Sequence, residues 1–450
     1  MDRWSKDASR SRNFGGARLS TSPSPLPIMS ASPSSSSSAE ISHAPDGRER
    51  LQSVPPPNAA AQVIGKRPRM SNFRRILVGI TTLCHVPFVV AVFEFAHRMG
   101  AGSFFAWLFA IAAGALGIYL FLGRAERIAN DAPRSFASTF FFDLPYFVHW
   151  SACIFCVIPS AVYLIGEPIV DAIRHAPMGP SPAFFMWTYA LGLIVCAYGV
   201  TIRRWFFLTR RVEVFVRGLD ARFDGYRIVH LSDLHIGAFT PSWWGKRWVE
   251  RANAEDADAV AVTGDLVTSG VAFHEDIAEV VGCLRARDGV FCSMGNHDYF
   301  GEGEPLVSLL RARGPKVLRN EGVVVERGGA RLFIAAIDDT WTRRADVELA
   351  LASRPSGVPT VMLAHDPDTF PALAKRGVDL VLSGHTHGGQ IAFPFLARWI
   401  NASKLAHHFH LGVYKDGDAT LYVHPGLGTT GPPIRLGVAP AVVVLTLRAA

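Results

Sequence analysis

Two short stretches place an amide, three imidazoles and a carboxylate side by side: Gly295-Asn296-His297-Asp298 and Gly384-His385-Thr386-His387. Such groups hold divalent cations and move protons. Three further stretches carry the same kind of side chain: Asp233-Leu234-His235, Gly264-Asp265 and Ala364-His365-Asp366. Together they offer two aspartates (Asp233, Asp265), four histidines (His235, His365, His385, His387) and Asn296 as ligands. That set is too large for one tetrahedral zinc with an open position, so the residues favour two metals. A mixed oxygen and nitrogen set suits Mn, Fe or Zn without choosing among them. Two such ions, roughly 3.5–4 Å apart, clamp a phosphoryl group and activate water.

Each stretch follows a short apolar run that reads as a buried strand: Tyr226–Leu231, Ala259–Thr263, Val290–Met294, Thr360–Leu363 and Leu380–Leu382. Further runs at Leu332–Ile337, Leu421–Val423 and Val442–Leu447 complete an α/β domain predicted over 206–450. Gly328-Gly329, between Val323–Val325 and Leu332–Ile337, predicts a hairpin and hence a mixed sheet. Loops at the carboxyl ends of such strands converge on one crevice.

The ordered blocks D-x-H, G-D, G-N-H-D, H and G-H-x-H, from Asp233 to His387, resemble the signature of the calcineurin-like metallophosphoesterase superfamily. The resemblance implies a four-layer α/β/β/α sandwich around two mixed sheets. By position, Asp233, His235 and His387 would bind one metal and Asn296, His365 and His385 the other, with Asp265 bridging. His297 would contact phosphate or donate a proton, and Asp298 would orient it and favour its charged form. The nucleophile would be a hydroxide bridging the metals, with no covalent enzyme intermediate. The run Gly384 to Ile391 and the late run Gly426 to Arg435 resemble a bacterial membrane-anchored branch. In the second run, Arg435 is a candidate to hold a phosphate oxygen bidentately.

The remainder of the chain places this chemistry at a membrane. Of 450 residues 49% are hydrophobic and only 18% charged, which excludes an ordinary soluble enzyme. Residues 1–70, rich in Ser, Pro and Arg, are expected to be disordered. A four-span region is predicted over 71–205, with spans near Ile76–Ala96, Ser103–Leu122, Phe147–Gly166 and Ala183–Ile202. Arginines gather before the first span (Arg74, Arg75), between the second and third (Arg124, Arg127, Arg134) and after the fourth (Arg203, Arg204, Arg210, Arg211). The positive-inside rule then places both termini, and the catalytic domain, on the cytoplasmic side of a bacterial inner membrane. The net charge of +7 is read as these arginines, and nucleic-acid binding is not expected. Glu94 and His97 are read as interfacial. Cys153 and Cys156 have CxxC spacing inside an apolar run, where a redox role is not expected.

Two aromatic-basic segments, Thr240 to Trp248 and Phe393 to Lys404, are either core packing or a membrane interface. In the second case the crevice faces lipid, and a lipid-linked phosphoester is the natural substrate. Relatives in the resembling branch imply pyrophosphate cleavage of UDP-2,3-diacylglucosamine in lipid A biosynthesis. The alternatives are a broad-specificity or nucleotide phosphodiesterase, or a membrane sensor or scaffold with a non-catalytic metal-bound domain. Outside the signature, Asp338-Asp339 either cap a loop or touch substrate, His407, His408 and His410 read as an exposed basic loop rather than a third metal site, and His424 could approach the crevice from a strand-end loop.

Overall fold

The computed structural model describes residues 72–130, 132–175, 179, 181–392 and 401–450. The tail expected over 1–70, and most of the segment from Phe393 to Lys404, lie outside them.

Four helical segments are long and apolar enough to cross a membrane. They comprise α1 (Asn72–Arg98), α2 (Ser103–Asn130), the short α3 (Phe136–Ser138) running through a π turn into α4 (Leu144–Arg174), and α5 (Pro182–Thr201). Pro87, Pro159 and Pro168 lie inside these helices, which a membrane segment tolerates because neighbouring groups re-satisfy the freed backbone. Ile80, Phe109, Ile158 and Trp187 point outward, where lipid rather than protein would cover them. Arg124 and Arg134, which count as loop charges in the positive-inside argument, clasp the fully buried Asp143 at 3.2 and 2.9 Å. They join the end of α2 to the start of α4. Glu94 pairs with Arg98 at 2.6 Å one turn on.

Beyond α5 the chain forms β1 (Leu208–Val216), β2 (Arg227–Leu231), α6 (Ser242–Asn253), β3 (Ala259–Thr263), α7 (His274–Gly282), β4 (Gly289–Ser293), α8 (Gly303–Ala312) and β5 (Lys316–Val317). The second half runs β6 (Glu321–Arg327), β7 (Ala330–Ala336), α9 (Val347–Leu351), β8 (Thr360–Leu363), α10 (Phe370–Ala374), β9 (Leu380–Ser383), β10 (Gly412–Asp416), β11 (Ala419–Val423) and β12 (Ala441–Ala449). Two six-stranded mixed sheets result, in the orders β1-β12-β2-β3-β4-β5 and β10-β11-β9-β8-β7-β6. The first is parallel from β2 to β5 and antiparallel at β12–β2; the second is antiparallel at both outer pairs.

Their cores account for the layers. Val214, Phe223, Tyr226, Phe291, Leu332 and Leu382 pack between the sheets. Trp248, Ile277, Val281, Leu306 and Leu310 of α6 to α8 cover the outer face of the first sheet. Phe370 and Leu373 of α10, with Ala350 of α9, cover the second. This is the expected four-layer sandwich, preceded by the four membrane-length helices. The predicted hairpin forms too: Gly328 and Gly329 take φ of +54° and +89° at the two-residue turn between β6 and β7, a conformation costly for other residues.

Candidate metal centre

The five motif stretches meet at the carboxyl ends of the central strands. Asp233 and His235 follow β2, Asp265 follows β3, Asn296 and His297 follow β4, His365 follows β8, and His385 and His387 follow β9. Asp233, His235, Asp265 and His387 place ligand atoms within 4.8 Å of one another, and so do Asp265, His365 and His385. Asp265 belongs to both groups. Its Oδ2 stands 3.6 Å from His235 Nε2 and 3.2 Å from His365 Nε2. His387 Nε2 lies 3.5 Å from Asp233 Oδ1, and His385 Nδ1 lies 3.2 Å from His365 Nε2.

Backbone strain is concentrated in these loops. Asp233, His235, Asp265, His385 and His387 all have φ between +45° and +69°, a left-handed conformation that non-glycine residues adopt at a cost. The glycines in the motifs make the loops fit. A Cβ on Gly295 would stand 2.3 Å from Asp265 Oδ1, and one on Gly384 would stand 1.9 Å from Ser232 Oγ. Only bare backbone fits beside the carboxylates.

The donor set suits cations. His365 Nδ1 is 2.7 Å from the carbonyl of Thr263; a carbonyl only accepts, so Nδ1 donates and Nε2 is left as the nitrogen that faces Asp265. His235 Nε2 and His387 Nε2 face each other at 3.0 Å. Asp233 Oδ2 and Asn296 Oδ1 are buried without a hydrogen-bond partner. These two unpartnered oxygens are acceptors that a bound divalent pair would satisfy. Burial pushes His235 down to about 3 and His385 down to about 4, holding both rings neutral as ligands require. Burial also disfavours charge on His365, but Asp265 and Asp233 override it and raise its pKa to about 10. Burial raises Asp233 to about 6, against the pull of His365.

His297 sits at the rim. Its Nδ1 lies 2.6 Å from the Thr268 carbonyl, so that nitrogen donates, while Nε2 faces outward 3.5 Å from Thr430 Oγ1. Its ring packs edge-on against His235 at 4.9 Å and beside Phe300 at 4.6 Å.

Two expectations require correction. Asp298 does not orient His297. Its carboxylate accepts the backbone N–H groups of Leu266 (2.7 Å), Val267 (3.2 Å) and Gly295 (2.8 Å), tying the β3 and β4 loops together. Burial and the nearby Asp265 charge push its pKa up to about 7. Nor is Arg435 free to grip phosphate bidentately. Fully buried, it donates to the carbonyls of Pro425 (2.7 Å) and Gly428 (3.1 and 2.5 Å) and reaches His387 Nδ1 at 3.4 Å. It is a strut for the late loop.

The other polar residues divide. Asp338 accepts from Tyr299 and Arg319, and Asp339 caps Thr342, so both serve the loop. His424 is buried beside His230 and accepts the Gly426 N–H. His407 pairs with Asp368 at 3.5 Å and lies edge-on to His385 at 5.0 Å, which its sequence position in a polar loop did not signal. Trp248 is core, whereas Trp243 is exposed and stacks on Trp205 at the end of the membrane-length helices.

A cavity of about 450 Å³ opens beside His297. Thr268, Phe300, Thr430 and Pro432 form one wall, and Leu77, Phe121, Ala125, Phe147 and Trp150 of the apolar helices form the other. No signal in the sequence joined these two sets.

Comparison with known proteins agrees with this geometry. The model of the calcineurin-like phosphoesterase family matches residues 226–389. The chain is 32% identical over 230 residues to YkuE of Bacillus subtilis, an uncharacterized metallophosphoesterase, across 50% of this chain and 80% of that one. It is 34% identical over 224 residues to a metallophosphoesterase of Helicobacter pylori, across 48% of this chain and 58% of that one. A transmembrane protein with metallophosphoesterase domain from Danio rerio is 34% identical over 253 residues, across 53% of this chain and 57% of that one. The chain therefore spans well under two thirds of the latter two proteins.

Proposed function

Since this chain belongs to the calcineurin-like phosphoesterase family, a family of metal-dependent phosphoester hydrolases that use a divalent metal pair, we propose that it hydrolyses a lipid-linked phosphoester or pyrophosphate at a membrane surface. The observation that carries this reading is the position of His297, whose outward face lines a cavity completed by membrane-length helices. A substrate with its phosphate at the metal centre would have its apolar part directed among those helices.

Asp233, His235 and His387 would hold one metal, Asn296, His365 and His385 the second, and Asp265 both. The bound pair would supply charge neutralisation at the phosphoryl oxygens and a water of lowered pKa. The chain's own residues do the rest. The Thr268 carbonyl fixes the His297 ring so that Nε2 points toward the rim, where, as imidazolium, it can donate a hydrogen bond to a phosphoryl oxygen or give its proton to the leaving oxygen when the P–O bond breaks. Asp298, by holding the loops after β3 and β4, keeps Asp265 and Asn296 in register. Phe300 and the apolar helices exclude bulk water from one side of the site.

The specific candidate is UDP-2,3-diacylglucosamine, cleaved at its pyrophosphate to release UMP as a step of lipid A biosynthesis. The setting would be a bacterial inner membrane with the catalytic domain in the cytoplasm, which arginine placement supports; a C-terminal reporter active only in the periplasm would overturn that orientation. The assay uses the full-length enzyme with Mn²⁺ against UDP-2,3-diacylglucosamine, bis-p-nitrophenyl phosphate and cyclic nucleotides. UMP release from the lipid nucleotide is expected. Turnover of only the soluble esters would favour a broad-specificity or nucleotide phosphodiesterase.

A further inference from the structure

The membrane-length helices are not purely apolar inside. His85 of α1, and His149 and Cys153 of α4, present ligand atoms within 4.8 Å of one another. His85 and Cys153 are buried, and the two imidazoles meet edge to face at 5.2 Å between ring centres. The protonation of His85 follows from its contacts. Its Nδ1 is 2.7 Å from the carbonyl of Thr81, so Nδ1 carries the hydrogen and Nε2 is a bare lone pair. That lone pair is buried and has no hydrogen-bond partner. Leaving such an acceptor unsatisfied in an apolar bundle costs free energy.

Gly117 of α2 leaves room beside it. A Cβ there would come within 2.8 Å of His85 Nε2 and 3.1 Å of His149 Nε2, so the missing methyl leaves a space flanked by both nitrogens. His149 is steadied through Nδ1 by the Tyr189 hydroxyl at 2.7 Å, and Cys153 Sγ lies over the face of its ring, 3.8 Å from Nδ1 and 3.9 Å from Nε2.

From this geometry we infer a second, independent metal site within the helices: His85 Nε2, His149 Nε2 and Cys153 Sγ bind Cu⁺. Thiolate with imidazole is a soft donor set. Charge selects the monovalent ion. Cu⁺ with one thiolate is neutral, whereas Zn²⁺ would leave an uncompensated positive charge in an apolar bundle. Binding replaces the thiol S–H bond with an S–Cu bond and releases the proton to solvent, with no change of oxidation state. The site does not depend on the phosphoesterase reading.

The test uses the full-length protein in detergent, anaerobic, with Mn²⁺ supplied first to the phosphoesterase centre. Cu⁺ is then titrated in competition with bathocuproine disulfonate, and the retained copper is examined by X-ray absorption. One Cu⁺ per chain is expected, with one sulfur and two nitrogen neighbours. Cys153→Ser and His85→Asn should lose it, Cys156→Ser should keep it, and Mn content should be unchanged in all three as a measure of folding. Failure of the wild type to retain Cu⁺, retention undiminished in Cys153→Ser, or preference for Zn²⁺ in the same competition would overturn the assignment.

Discussion

The carbonyl of Gly199, in the last turn of α5, accepts a hydrogen bond from the backbone N–H of Arg435 at 3.3 Å. The arginine's side chain points the other way, toward His387. The late glycine- and proline-rich loop is thereby anchored to a membrane-length helix at one side and to the candidate metal centre at the other. A Cβ on Gly199 would stand 2.9 Å from both Ile434 and Leu436. Gly199→Leu should therefore displace the loop and lower kcat on a soluble phosphodiester by about tenfold, the effect of overpacking costing about 1–3 kcal/mol. An unchanged kcat would show that the helices only tether the domain.

Arg435 separates two roles by its kinetics. A strut that donates to Pro425 and Gly428 cannot be replaced by lysine, which lacks the planar fork. Arg435→Lys is expected to lower stability by about 2–4 kcal/mol and to reduce metal occupancy, with little change in KM for the protein that remains loaded. A raised KM at full metal occupancy would restore the phosphate-binding role that its contacts argue against.

The site was legible because its ligands follow buried strands and lie in short blocks, so order along the chain matched convergence in space. Asp233, Asp265 and His385 are recognisable that way. Asp298 and Arg435 differ from expectation for one reason: their partners are backbone groups, of the loops after β3 and β4 for Asp298 and of its own glycine- and proline-rich loop for Arg435, and residue types carry no trace of those. β1 escaped notice because its arginines and glutamate break the apolar run, as an edge strand paired only with β12 allows. β10 is likewise a charged edge strand. His85 and Cys153 lie on different helices, so only packing joins them.

His297 should be required for turnover but not for metal. His297→Asn is expected to cut kcat by roughly 10²–10⁴-fold, the usual range for a proton-transfer residue, while metal content stays at the wild-type level. Undiminished activity would assign the residue to loop packing and favour a scaffold role for the domain.

The cavity beside His297 makes a prediction that soluble substrates do not share. Ala125 lines its helix wall. Ala125→Phe fills part of the space and should raise KM for an acylated phosphodiester by about tenfold, within the range for a lost apolar contact, leaving a short soluble diester unaffected. Equal effects on both substrates would remove the argument for a lipid-linked substrate.

In the proposed site two metals share Asp265. The direct test is metal analysis of the purified full-length protein and its Asp265→Asn variant after saturation with Mn²⁺ and removal of free ion, with turnover measured on the same samples. Two Mn²⁺ per wild-type chain are expected at the phosphoesterase centre. Fewer than one is expected in the variant, with activity down by roughly 100-fold or more. A wild-type chain that saturates with a single ion, or a variant that keeps both ions and full turnover, would contradict it.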